Sequence, residues 1–402
     1  KKTQVHQALS YGIKNEIKER AQVYSQNLFK KPEEAWNIMS FSFLRMGNGD
    51  IGAFFIVKYP DGTDTIVLHR SNDEGETFGE ATDCLSCIEK PDYFVMNNDR
   101  PLLLESGRII LPLARHTIYD NPDIFAPGVV CFVFSDDDGK TWHYVSELYP
   151  CFWGRLFIYE KSVYMISCST EYGDLLIGKS TDGGKSFSAP VTLLRGANGK
   201  NGSNGVHKNP QNIVYYNGRI YETLEWGTWA NKEYCHAAMV MSCDENADLL
   251  NPENWHFTEP RKFSQFAPEI AELPDCTMTI EGTLTVAPDG KLYNVMRFGK
   301  YGKILAYAVD TEDPDAPLTY SHCIDFPANY SKFMIKYDEI SNKYYSIASR
   351  VYDREKSSAR NLLSLMVSDD LEHWEIALDL YDFRDRDHKK VGLQYVDFFF
   401  EG

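Results

Sequence analysis

One octet recurs in this chain and decides most of what it can become. Ser71-Asn-Asp73-Glu-Gly75-Glu-Thr77-Phe78 is followed by Ser135-Asp-Asp137-Asp-Gly139-Lys-Thr141-Trp142 and by Ser180-Thr-Asp182-Gly-Gly184-Lys-Ser186-Phe187. In this pattern, S-x-D-x-G-x-[T/S]-[F/W], the Ser hydroxyl and Asp carboxylate can bond nearby backbone groups, and Gly admits a left-handed turn residue. The aromatic is expected to plug the turn onto its own sheet. Three copies of such a hairpin lock, each after an apolar strand-like run, indicate a repeat architecture.

At 402 residues the chain exceeds the size of one compact core, so it is either two domains or one repeat array, and the locks favour the array. Degenerate locks extend the series at Ser242-Cys-Asp244 with Asn254-Trp255, at Asp310-Thr-Glu-Asp313, and at Ser368-Asp-Asp370 with Trp374. The six starts are 64, 45, 62, 68 and 58 residues apart, the length of a four-stranded antiparallel sheet with variable loops. Tight turns fall where such sheets need them, at Gly47-Asn-Gly49, Glu105-Ser-Gly107, Tyr159-Glu-Lys161, Tyr216-Asn-Gly218, Pro288-Asp-Gly290 and 338–342. The expected fold is all-β, one β-propeller domain over 1–402 in which each small sheet buries its faces against its neighbours. Gly392 to Phe400 reads as a further first strand. Seven blades, the last incomplete, are therefore favoured, with six as the alternative in which the terminal strands pack as an extra edge. Residues 1–30 are expected to close the ring through a strand at 22–29, and a helix is expected only near 14–21.

In a four-stranded meander the locks and the first-to-second turns share one rim. The opposite rim carries the starts of first strands and the ends of second strands, and polar and aromatic residues gather there. At first-strand starts lie Trp36, Arg100, Trp153, His207, Glu281, Lys332 and Tyr395; at second-strand ends lie Asp61, Asp64, Arg115, His116, Tyr172, Glu225, Trp226, Arg297 and Arg350. Convergent polar and aromatic groups in a concave mouth are the usual pattern of a binding site.

The locks together with these residues resemble the sialidase (neuraminidase) superfamily, whose repeated hairpins are called Asp-boxes or BNR repeats. The resemblance implies a sialidase-like propeller. It also implies a glycoside hydrolase that holds a sugar carboxylate with three arginines, protonates the leaving oxygen with an Asp, and attacks with a Tyr activated by a Glu. Carried over by position, Glu281 looks like the activating carboxylate, Arg297, sixteen residues on, like the second arginine, and Tyr395 like the nucleophile; Asp61 or Asp64 stands where the acid belongs. Two positions depart from the family. The Arg-Ile-Pro start of the first blade is Trp36-Asn37-Ile38 here, and Lys332 replaces the third arginine. A Lys point charge does not reproduce bidentate Arg geometry.

The residues support the same chemistry without the family. A carboxylate beside a phenol lowers the cost of forming phenolate, and an acid across the ring protonates the glycosidic oxygen. Arg100, Arg115, Arg297 and Arg350 suit an anionic sugar, and Trp36, Trp153 and Trp226 offer flat faces to sugar rings. A second reading is a polysaccharide lyase in which His116 or Tyr172 abstracts the proton beside a uronate carboxylate neutralised by Arg115, with His207 on the same rim. A third is a glycan-binding propeller without chemistry. Net charge of -17 argues against nucleic acid and anionic membranes as partners. No apolar span long enough for a bilayer is evident, no cofactor is called for, and Cys84-Leu-Ser-Cys87 lacks the second pair that a metal site needs. Nine Cys suggest a reducing compartment, whereas a glycan substrate suggests export.

Overall fold

The computed structural model describes Phe29 and residues 31–61, 64–88, 93–95, 100–116, 129–148, 150–198, 202–209, 211–231, 234–263, 279–298, 302–328, 331–356, 358–389 and 391–400. The fold is all-β, built of antiparallel β-propeller blades, and the chain divides into two compact units of three blades each. The predicted helix at 14–21 and the closing strand at 22–29, Phe29 excepted, lie outside the described residues.

The unit that holds residues 27–210 contains blades 1 to 3. Blade 1 runs Asn37–Arg45, Ile51–Lys58, Thr65–Ser71 and Thr82–Asp83. In blade 2, Tyr93–Val95 and Leu102–Leu103 both pair with Ile109–His116, followed by Val129–Ser135 and His143–Leu148. Blade 3 is Phe152–Tyr159, Ser162–Cys168, Leu175–Ser180 and Val191–Leu194. The second strands carry much of the core: all seven residues of Ser162–Cys168 are buried, and Val163 and Met165 pack with Ile110, Val130 and Phe132 of blade 2. Phe54, Ile56, Ile66 and Leu68 of blade 1 pack against Ile109, Leu111, Leu113 and Val133 of blade 2. Each such side chain contributes about 1.5–3 kcal/mol of apolar burial.

The second unit holds blades 4 to 6. Blade 4 contains Val214–Tyr216, Arg219–Gly227, Ala237–Asp244 and Trp255–Phe257; blade 5 contains Thr279–Val286, Leu292–Phe298, Lys303–Ala308 and Thr319–Asp325; blade 6 contains Ile335–Asp338, Lys343–Ser349, Leu362–Ser368 and Trp374–Asp382. Tyr221, Ala238 and Val240 of blade 4 meet Leu284, Leu292, Met296 and Tyr307 of blade 5, whose other face packs through Ile304 and Ile324 on Ile335, Tyr344 and Met366 of blade 6.

Of the two blade counts weighed above, six is the number found among the described residues. Gly392 to Phe400 is not a strand: the segment is irregular, and Tyr395 in its middle has φ of 58°. A left-handed residue interrupts the extended path that a first strand needs.

The locks form as their residues dictate. Ser71, Ser135 and Ser180 each donate a hydroxyl hydrogen bond of 2.7–2.8 Å to Asp73, Asp137 and Asp182 and accept the amide of Gly75, Gly139 and Gly184. The same carboxylates accept the amides of Thr77, Thr141 and Ser186. The aromatic corrects the expectation that it plugs its own sheet. Trp142 packs edge-on against Phe54 of blade 1, Phe187 stacks on Phe132 of blade 2 at 4.4 Å, and Trp374 meets Phe326 of blade 5 at 5.0 Å. These three locks are thus joints between blades, whereas Phe78 of the first lock meets Phe29, which packs on blade 1 itself. A single sheet's outer strands present too little apolar surface for a large ring, whereas the neighbour's second and third strands present a full face.

Candidate active site

Three first strands share one irregularity. In blades 1, 3 and 5 the register slips by a residue near the strand start, between Met39 and Ser42, between Phe152 and Arg155, and between Ile280 and Thr283. At each slip a residue with a side chain takes positive φ: Ser40 at 59°, Trp153 at 49° and Glu281 at 55°. These are β-bulges, which bend the strand and re-aim one side chain. In blade 5 the device needs Gly282, because a Cβ there would collide with Asn294 Oδ1 and the Met296 sulfur. The Gly282 amide donates 3.3 Å to Oε1 of the buried Glu225 at the end of the second strand of blade 4.

The bulge delivers Glu281 to two partners. Oε1 accepts the phenolic hydrogen of Tyr395 at 2.8 Å, and Oε2 is ion-paired with Arg297 on the adjacent strand. Glu281 and Arg297 are both buried, so the pair is shielded from water, where charge interactions are strong and an unpartnered member would be costly. The Lys332 ammonium, on a side chain also buried, lies 5.9 Å from the centre of the Tyr395 ring. Burial first, and the negative charge of Glu281 second, push the Tyr395 phenol well above the ordinary tyrosine range; Arg297 and Arg360 act in the opposite sense. The resting phenol is therefore neutral and donates to a carboxylate, the arrangement in which Glu281 can accept its proton as the oxygen attacks. Tyr395 and Glu281 both sit in left-handed backbone, which costs roughly 1–3 kcal/mol per residue and concentrates at functional sites.

The structure thus brings together four of the residues singled out from sequence, Glu281, Tyr395, Arg297 and Lys332, with Glu225 joined through Gly282. Tyr395 does so from an irregular segment and not from the strand expected for it. Arg350 faces Asp379, 3.4 Å away on the last strand of its own blade. Trp226 is half-buried at the end of the second strand of blade 4. Arg360 was not singled out. It precedes the third strand of blade 6, and only the path of the C-terminal segment brings it near Tyr395.

In the first unit the remaining candidates form separate groups. Asp64 is fully buried and pairs with Lys58 at 3.1 Å, while accepting the Tyr59 amide; burial holds its carboxyl above the usual range against the pull of Lys58. Asp61 is exposed in the turn, and Lys58 also lies 5.9 Å from the ring of the exposed Trp36. In blade 3, Trp153 stacks on Phe152 and meets His207 edge-on at 5.1 Å, and the buried Tyr172 stacks on His207 at 5.9 Å. Arg115 is half-buried at the end of the second strand of blade 2 and Arg100 half-buried before Leu102; the His116 backbone pairs with Tyr93, and its side chain lies outside the described residues. Among the described residues no three His, Cys, Asp or Glu side chains are grouped to hold a metal ion.

Repeated antiparallel blades and inter-blade locks define the chain as one built of β-propeller blades, and one unit carries a phenol–carboxylate–guanidinium relay. No protein-family model matches the sequence, and no curated protein matches it. Solved structures match over most of its length. The chain is similar to an ulvan lyase of a polysaccharide lyase family, in complex with -[GlcA(1-4)Rha3S]-, at 14% identity and a TM-score of 0.51, covering 82% of this chain and 80% of that one. It is also similar to an α-L-arabinanase of Penicillium chrysogenum (14% identity, TM-score 0.47, 85% and 96% covered) and to the Hadza microbial sialidase Hz136 (13% identity, TM-score 0.44, 86% and 60% covered). At 14% identity what is shared with the ulvan lyase is the fold.

Proposed function

We propose that this chain is a glycoside hydrolase of sialidase-like mechanism acting on a glycan that carries sialic or uronic acid. The observation that supports this reading is the hydrogen-bonded chain from Tyr395 through Glu281 to Arg297. The Tyr395 oxygen attacks the anomeric carbon and its proton passes to Glu281. The glycosidic bond breaks, and the leaving oxygen takes a proton from a carboxylic acid; water then attacks the tyrosyl glycoside and gives a proton to the carboxylate so formed, while Glu281 returns its proton to the departing phenol. A neutral phenol suits an anionic sugar better than an Asp or Glu nucleophile, whose charge repels the substrate carboxylate. Arg297 and Lys332 are the proposed partners of that carboxylate.

A second reading, β-elimination from a uronate, is favoured by the Tyr172–His207 stack beside Trp153 and by the uronate-bound state of the ulvan lyase. A panel of acidic glycans with mass analysis of products separates the two. Release of a free reducing sugar that is lost in Tyr395→Phe supports hydrolysis. Product absorbing as an unsaturated uronate, undiminished in Tyr395→Phe, replaces it with elimination. Binding without any product identifies a glycan-binding propeller.

A further inference from the structure

Tyr395 lies on a segment without strand pairing, yet its phenol is held within hydrogen-bond distance of a carboxylate 114 positions earlier. Its positive φ is a conformation that a free chain avoids. Something outside the segment must hold it, and the ties are visible on both sides of the residue. Two positions before Tyr395, the Leu393 carbonyl accepts the hydroxyl of the buried Ser349 at 2.5 Å, and its amide donates to the Arg360 carbonyl at 2.6 Å. Two and three positions after it, the Lys336 ammonium donates 2.8 Å to the Asp397 carboxylate, donates to the Phe398 carbonyl, and lies 5.2 Å from the centre of the Phe398 ring. Phe398 in turn packs on Tyr345, Leu365, Ala377 and Leu378 of blade 6, and the Phe400 ring sits 5.6 Å from that of Tyr345.

We infer that residues 391–400 form a strap, and that Lys336, from the first strand of blade 6, is the positioning residue that clamps the strap so that the Tyr395 oxygen stays on Glu281. Its hold on the strap runs through Asp397 and Phe398, two and three positions after Tyr395. The ammonium is the right group for this. Three donors on one tetrahedral nitrogen can satisfy a carboxylate and a carbonyl one residue apart while the cation faces the ring. The inference rests on the proposed role of Tyr395 for its catalytic meaning, but its structural content stands apart from that role.

Lys336→Met keeps the aliphatic stem and removes the charge and all donors. The expected result is a rise of about tenfold or more in amide hydrogen exchange across 391–400, with exchange in the strands of blade 6 close to wild type. The ring NMR signal of Tyr395, assigned by its loss in Tyr395→Phe, shifts toward that of a solvent-exposed tyrosine, and Lys336→Arg restores both. On any glycan that the wild type cleaves, kcat falls while KM changes little. Unchanged exchange and an unchanged Tyr395 signal in Lys336→Met overturn the inference, whatever the activity. A loosened strap with full turnover keeps the clamp and removes Tyr395 from the mechanism, so the two failures are distinguishable. Asp397→Asn removes the carboxylate side of the same clamp and serves where Lys336→Met does not fold.

Discussion

The phenol of Tyr395 donates a 2.8 Å hydrogen bond to Glu281, a residue 114 positions earlier and on a different element. Burial and the Glu281 charge hold that phenol neutral, while the Arg297 guanidinium sits on the other carboxylate oxygen. The carboxylate and guanidinium of this relay are buried and the phenol is half-buried, a setting in which a single polar atom matters strongly.

Tyr395→Phe removes only the hydroxyl. Turnover of an acidic glycan should fall by about 10²–10⁴-fold or more, while unfolding free energy drops by no more than about 1–3 kcal/mol, the worth of a hydrogen bond to a charged group. Steady-state kinetics beside urea denaturation checks both, and retained turnover excludes Tyr395 as nucleophile.

Glu281 and Arg297 should be strongly coupled. Glu281→Gln or Arg297→Met alone leaves a buried group with its partner gone and should cost about 3–5 kcal/mol, whereas the double variant should lose clearly less than the sum. A double-mutant cycle by urea unfolding measures it. Because each single change also destabilises, loss of activity in either counts only alongside a folded spectrum.

The turn glycines, Gly139 of a lock and Gly107 of a plain hairpin turn, should divide by what surrounds them. Gly139 has φ of 76° and a Cβ there would strike the Leu68 side chain of blade 1; Gly107 has φ of 83° with open space around it. Gly107→Ala should cost about 1–2 kcal/mol of backbone strain alone, and Gly139→Ala about 1–3 kcal/mol more from overpacking. Thermal melts of the two variants test the difference, and equal costs would mean that the lock does not bear on its neighbour.

Acid should loosen the locks in a defined window. Burial alone would raise the Asp137 and Asp370 carboxyls. The hydrogen bonds they accept, from Thr141 and Ser135 in one case and from His373 in the other, outweigh it and bring both to about 2. An unfolded Asp titrates near about 3.9, so the unfolded chain takes up protons first as pH drops. The stabilisation is complete above about pH 4 and is lost as pH falls toward about 2. Urea midpoints measured across that range should fall less steeply in Asp137→Asn than in wild type.

Much of this was legible because the locks are local. Ser135, Asp137, Gly139 and Thr141 satisfy one another within seven residues, so a pattern of residue types specifies the hairpin, and the spacing of hairpins specifies the blades. Glu281 and Arg297 were also within reach, since a hairpin around Asp289-Gly290 sets them on neighbouring strands. Trp142 and Phe187 show where locality ends: both rings dock on the preceding blade, and nothing within their own octets distinguishes that face from the sheet they belong to.

By itself, the sequence determined the all-β class and the meander of each blade, because strand periodicity, turn chemistry and hairpin register act over a few residues; the phenol, carboxylate and guanidinium were singled out through a family resemblance. Only the tertiary structure decided that Tyr395 rides an irregular strap and not a strand, that Lys336 and Ser349 hold that strap, and that Arg350 turns to Asp379. Those choices depend on which distant surfaces are buried together, and contact across a hundred residues leaves no periodic trace in the chain.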